Sequence, residues 1–216
     1  MLKNDEILKH EFAENNIYWR LYREVLPGYY EGTIQIYYTE PYSDWRHKLF
    51  PIRVNVLVKD STIFYWVRKS QDSNAHYTQV YDSFVIDNEY KNFVTQFKST
   101  YKSELNRKYL FIDTINFGNQ CKPDAELTTE FKLMNKYVAD KNIKAMTNWL
   151  KSGNTELQLF AVKALKFLKN NNENISKELM DLTELVLSKK GNINLCQDGL
   201  ERRIQIPKLV KDFEAY

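Results

Sequence analysis

Along the first half of the chain, apolar residues alternate with polar ones. Through the second half they recur at helical spacing. In "PIRVNVLVKD", Ile52, Val54, Val56 and Val58 share one face and Arg53, Asn55 and Lys59 the other, which is the alternation of a half-buried antiparallel strand. "TIQIYYT" repeats the pattern with Ile34, Ile36 and Tyr38. "TIFYWVRK" is β-branched and aromatic, and the Lys59-Asp60-Ser61-Thr62 link before it is short enough for a hairpin. "AHYTQVYDSFVI" predicts a further strand and "KYLFIDTINF" a last one. Two helices frame these strands. One opens at Asn4, carries Ile7, Leu8 and Phe12, and runs on through "IYWRLYREVL" until Pro27-Gly28 stops it. The other aligns Phe93, Val94, Phe97 and Tyr101.

After residue 124 the pattern is helical. Leu127, Phe131, Met134 and Val138 fall on one side of a first helix, and Ile143, Met146 and Leu150 on one side of a short second. "NTELQLFAVKALKFLKNNN" is the most regular stretch, with Leu157, Phe160, Ala161, Ala164, Leu165 and Leu168 on one face and a Thr155–Gln158 capping box at its start. Ser176 caps a helix carrying Leu179, Leu182 and Val186, and the tail predicts a short helix with Leu209, Val210 and Phe213. A boundary falls in "NFGNQCKPD", where Gly118 and Pro123 interrupt the pattern. The expected organisation is therefore α+β: residues 1–118 form an aromatic-rich antiparallel sheet with helices, and residues 124–216 form a small all-α domain able to fold without the rest.

"IKAMTNWLKSGNTELQLFAVKALKFLKN" resembles a HEAT-like repeat in the leucines of both helices, the polar Asn-Thr-Glu turn and the Ala-x-x-Ala-Leu run. Successive first helices would start 33 residues apart, at Ile143 and Ser176, and the resemblance extends over residues 143–188. It departs from the family pattern where Gln158 replaces an early basic residue and where no second Ala-x-x-Ala-Leu run follows Ser176. The resemblance implies a surface presented to a protein partner.

Charge changes this picture little. Residues 1–120 hold 15 Lys+Arg and 15 Asp+Glu, whereas residues 121–216 hold 16 and 13, so the net +3 sits in the helical half. That excess is too mild to imply nucleic acid, although Lys163, Lys166 and Lys169 form a stripe on the most regular helix that phosphates could meet. Thirteen of the fifteen tyrosines and three of the four tryptophans precede residue 118, more than one sheet face can bury. Tyr37, Tyr38, Tyr42, Trp45 and Trp66 are therefore candidate binding residues, because Tyr and Trp are enriched at interfaces.

The three histidines, His10, His47 and His76, have no metal-ligand spacing, and His76 pairs with Asp82 or Asp87 only at a separation that chance supplies. No phosphate-binding glycine loop and no nucleophile elbow occurs. No cofactor and no metal are expected. Cys121 and Cys196 are far apart and are expected to be reduced, unpaired thiols. Without an apolar segment near the N-terminus or a run of roughly 20 apolar residues, a cytoplasmic protein with no membrane partner is expected. The expected function is a non-enzymatic protein-binding or adaptor role. The alternatives are an enzyme with its site in the aromatic part or between the halves, and a nucleic-acid-associated protein using the lysine stripe.

Overall fold

The computed structural model describes residues 16–42, 46–70, 79–122, 126–197 and 199–213. The helix expected at residues 4–12 lies outside them. The class is α+β. Five strands, β1 (Asn16–Leu26), β2 (Tyr29–Tyr42), β3 (Arg46–Lys59), β4 (Thr62–Ser70) and β5 (Gln79–Val85), form one sheet in chain order. The registers from β2 to β5 are antiparallel. "IYWRLYREVL" is thus strand, not helix. Its aromatic and β-branched residues suit a pleated surface, and the two-residue Pro27-Gly28 connection makes it the hairpin partner of β2.

The two sheet faces differ. Ile34, Ile36, Ile52, Val54, Val56, Val58 and Ile63 form a buried apolar cluster on one, with Tyr30 and Trp66 against it. On the other, Tyr29, Phe64 and Phe93 meet with ring centroids 5.4–5.9 Å apart. Phe93 comes from α1 (Asp87–Tyr101), which the sequence predicts. A register shift between Leu57 and Val58 leaves Phe64 as the extra residue on β4 and turns it toward Tyr29. The β3–β4 hairpin turns at Asp60 and Ser61 with φ of 47° and 65°, the left-handed pair that matches strand twist.

The later helices are α2 (Thr129–Ala139), α3 (Ile143–Leu150), α4 (Thr155–Asn170), α5 (Lys177–Leu187) and α6 (Ile206–Phe213). The first four have side-chain caps: Thr128, Asn142, Asn154 and Ser176 each accept from a backbone N–H three residues on. The α4 cap is Asn154, one residue before the predicted Thr155, and Gln158 is drawn instead into the interior. This region is not all-helical. "KYLFIDTINF" yields a single 3-10 turn at Arg107–Tyr109 and only the two-residue β6 (Phe117–Gly118). That short strand pairs in parallel with β7 (Asn192–Gln197), which pairs in turn with antiparallel β8 (Leu200–Gln205).

Contacts divide the chain into one unit of Met1–Tyr22 with Gly28–Phe93, and another of Arg23–Pro27 with Val94–Tyr216. The expected boundary at 118–124 falls inside the second unit. The expected free thiols are also corrected: Cys121 and Cys196 are joined by a disulfide, with Cα atoms 4.5 Å apart. Sequence spacing gave no sign of the pairing, because β6 brings the two together only by lying beside β7. No helix among the described residues is long and apolar enough to cross a membrane.

Eleven of the sixteen residues of α4 are buried, with Ala161 and Ala164 at 0% and 1% exposure, and Lys163 is exposed. Ala164→Leu forces three carbons into a filled seam and should cost about 1–3 kcal/mol. Lys163→Leu gives up only an ammonium 6.0 Å from the Phe131 ring, a loss of about 0.5 kcal/mol. Thermal melts of the two variants should therefore separate, with Ala164→Leu the lower; equal melts would mean that the helix faces are misassigned.

Candidate functional site

Two clusters stand out, and only one is open to a partner. The closed one lies in the second unit. Arg23 on β1 and Glu156 in the first turn of α4 form an ion pair in which neither side chain is exposed. The Arg23 guanidinium also donates to Ile112 O at 3.1 Å, and Glu156 Oε1 accepts from Asn194 N at 3.4 Å. Asn194 Nδ2 donates to Asp113 O at 2.9 Å. Beside the pair, Lys189 Nζ donates to Gln158 Oε1 at 2.6 Å and sits 5.7 Å from the Tyr101 ring centre. Gln158 Nε2 donates to Leu150 O at 2.9 Å, and Tyr101 OH donates to Val25 O at 3.2 Å. Burial raises the Tyr101 pKa strongly; a hydrogen bond with Gln158 opposes the shift and the Glu24 charge adds to it. Arg23, Glu156, Gln158 and Tyr101 have no exposed surface and Lys189 has 2%. Chemistry of this kind holds backbone segments together, since a substrate has no way to reach it.

The open cluster lies on the five-stranded sheet. Trp19 (β1) covers Gly32 (β2) so closely that a Cβ there would stand 2.5 Å from the indole and 3.1 Å from Val56 (β3). Trp66 (β4) is directly opposite Val56. Trp19 meets Tyr22 edge-on at 5.3 Å, and Tyr22 stacks on Tyr30 at 5.2 Å with the rings 4° from parallel. Tyr18 and Trp19 are 53% and 37% exposed, and Tyr22, Tyr30 and Trp66 are half-buried. Trp19, Tyr22 and Tyr30 thus form an aromatic row across β1 and β2, with rings fixed by one another and edges left to solvent, while Trp66 packs against the same aliphatic cluster as Tyr30.

Against known protein families, characterised proteins and solved structures, the chain has no match. The site therefore rests on its own geometry. Of the sequence candidates, Trp66 packs against the aliphatic cluster on the sheet face that Tyr30 also covers. Tyr37, Tyr38 and Tyr42 lie on β2 opposite Pro51, Phe50 and Arg46, and their side chains are outside the described residues, as is Trp45 entirely. The lysines are less available than a bare stripe suggests: Lys163 rests over the Phe131 ring, Lys166 pairs with Glu184 at 3.1 Å, and Lys169 is exposed. His47 is on β3, while His10 and His76 lie outside the described residues. Among the described residues no group of three or more His, Cys, Asp or Glu could hold a metal. Trp19 and Tyr22 were missed because "IYWRLYREVL" reads as helix. Its run of aromatics before a Pro-Gly turn was the signal for a strand.

Two predictions follow from the closed cluster. Glu156→Gln removes the carboxylate of a fully buried ion pair and should cost on the order of 3–5 kcal/mol, while an Arg23→Met, Glu156→Leu double variant should recover most of that loss in urea melts. Tyr101, whose folded pKa is raised, adds stability that is complete below its unfolded value and is lost as pH rises above about 10. Tyr101→Phe should lose about 1 kcal/mol at neutral pH and show a shallower alkaline decline in melting temperature than the parent.

Proposed function

We propose that this chain is a non-enzymatic protein-binding or adaptor protein, and that it meets its partner through the aromatic row of Trp19, Tyr22 and Tyr30, with Trp66 on the same sheet face. The observation that carries the reading is the row itself. Large amphipathic rings, already ordered by stacking, lose little conformational freedom on binding and supply most of the energy at protein interfaces. The α3–α4 pair, HEAT-like in its sequence, favours the same role, because such pairs present extended surfaces to other proteins. A cytoplasmic setting is part of the proposal. There a disulfide such as Cys121–Cys196 is of the transient or redox-sensing kind.

The test is site-specific photo-crosslinking in cells of the native host, with the crosslinker at Tyr18 beside the row or, as control, at the exposed Phe167 of α4. A discrete protein should be captured from position 18 and not from 167. Trp19→Ala should then weaken binding of that purified partner by at least about 2 kcal/mol, the scale of an interface hot spot. Capture of nucleic acid, or equal capture from both positions, would overturn the reading.

A further inference from the structure

The disulfide joins two sulfurs in unequal surroundings. Cys196 is in the middle of the small sheet and has no exposure, whereas Cys121 is half-buried. Asn116 Nδ2 lies 3.5 Å from Cys121 Sγ and can donate to it. A reagent from solution can therefore reach Cys121, where Asn116 offers its sulfur a donor, while Cys196 is shielded from it. The two thiols are therefore matched to different steps of one exchange reaction.

We propose that Cys121 is a thiol–disulfide exchange site for low-molecular-weight disulfides of the glutathione class, with Cys196 as its resolving thiol. In the reduced chain, Cys121 gives its proton to water and its thiolate attacks one sulfur of the small disulfide. That S–S bond breaks, one small thiolate leaves and is protonated, and a mixed disulfide remains on Cys121. Cys196 then loses its proton and attacks Cys121 Sγ, and the second small thiolate departs. Two protein thiols have been oxidised to one disulfide, and one small disulfide has been reduced to two thiols.

The structural effect falls on the segment between the strand and α2. β6 has only two residues, Phe117 and Gly118, paired with Leu195 and Cys196. Gly118, at φ 124°, lies so close to the Cys196 carbonyl that a Cβ would collide with it. Gly118 O accepts from Thr128 Oγ1 at 2.9 Å and Asn119 O from Thr128 N at 2.8 Å, and Thr128 is the N-cap of α2. Residues 118–121 thus hold β7 on one side and the start of α2 on the other. Closing the bond adds a covalent tie between this segment and β7; opening it leaves the segment joined to β7 by a two-residue strand.

Reduced wild-type protein, exposed to glutathione disulfide and acid-quenched at short times, should carry glutathione on Cys121 peptides before the internal bond appears. Folded Cys196→Ser should accumulate the adduct, and folded Cys121→Ser should acquire it at least about tenfold more slowly, as exposure controls reactivity. Amide exchange in 117–131 should quicken by on the order of tenfold on reduction of the wild type, with α1 unchanged. First modification at Cys196, equal reactivity of the two variants, thiols that stay unmodified, or exchange unaltered by reduction would each overturn the proposal.

Discussion

An arginine and a glutamate that share no surface with water form the constraint around which the second unit is arranged. Removing both charges from solvent is costly, and the cost is met only if every remaining polar atom finds a partner. That demand accounts for much of what surrounds them. Arg23 reaches Ile112 O, Glu156 reaches Asn194, and Asn194 reaches Asp113, so α4, β7 and the 112–113 loop are positioned by the same pair. The backbone follows suit: Glu24 N donates to Lys190 O at 2.9 Å, Lys190 N to Glu24 Oε2 at 2.9 Å, and Arg23 bridges Gly191. Asn154 caps the helix that carries Glu156, so that the carboxylate sits in the first turn, where the helix dipole favours negative charge.

The two faces of the large sheet answer to different rules. One is an ordinary aliphatic surface whose alternation specifies register, since a slip of one residue would turn Ile34, Val54 and Val56 outward. The other mixes the Tyr29–Phe64–Phe93 cluster with buried polar residues, among them Glu31, Thr33, Gln35 and Asn55. Thr33 Oγ1 lies 3.1 Å from Asn55 Oδ1 across the β2–β3 pair, and Arg20 donates to Gln35 Oε1 at 2.7 Å. Polar side chains aligned across strands in this way satisfy one another and tie neighbouring strands by specific geometry.

What the sequence made legible was what period alone decides. The β3 alternation, the Asp60-Ser61 hairpin, α1 with Phe93 and Phe97, and α3 to α5 all stand where their apolar spacing put them. It misled where two patterns compete: "IYWRLYREVL" carries helical and strand signals together, and pairing with β2 chose the strand. It was silent where a partner comes from far along the chain. Nothing near Glu156 announces Arg23, and nothing near Cys121 announces Cys196. For the candidate site, Trp66 was visible as one of a surplus of aromatics, but the stacking order of Trp19, Tyr22 and Tyr30 depends on strand pairing. Lys166 looked like part of a cationic stripe until Glu184 arrived from another helix.

Five residues, Arg23–Pro27, belong by their contacts with a unit whose remaining chain starts only at Val94. The chain therefore crosses between units three times, and neither unit is a single run of sequence. A cut at one loop cannot release either as a self-sufficient piece. A fragment starting anywhere after Pro27 would bury Glu156 with no cation from β1, and one starting after Cys121 would also lose its tie to Cys196. In modular terms the protein is not two beads on a string, and rearrangements that exchange whole segments must carry this short strand end along with the helices that depend on it.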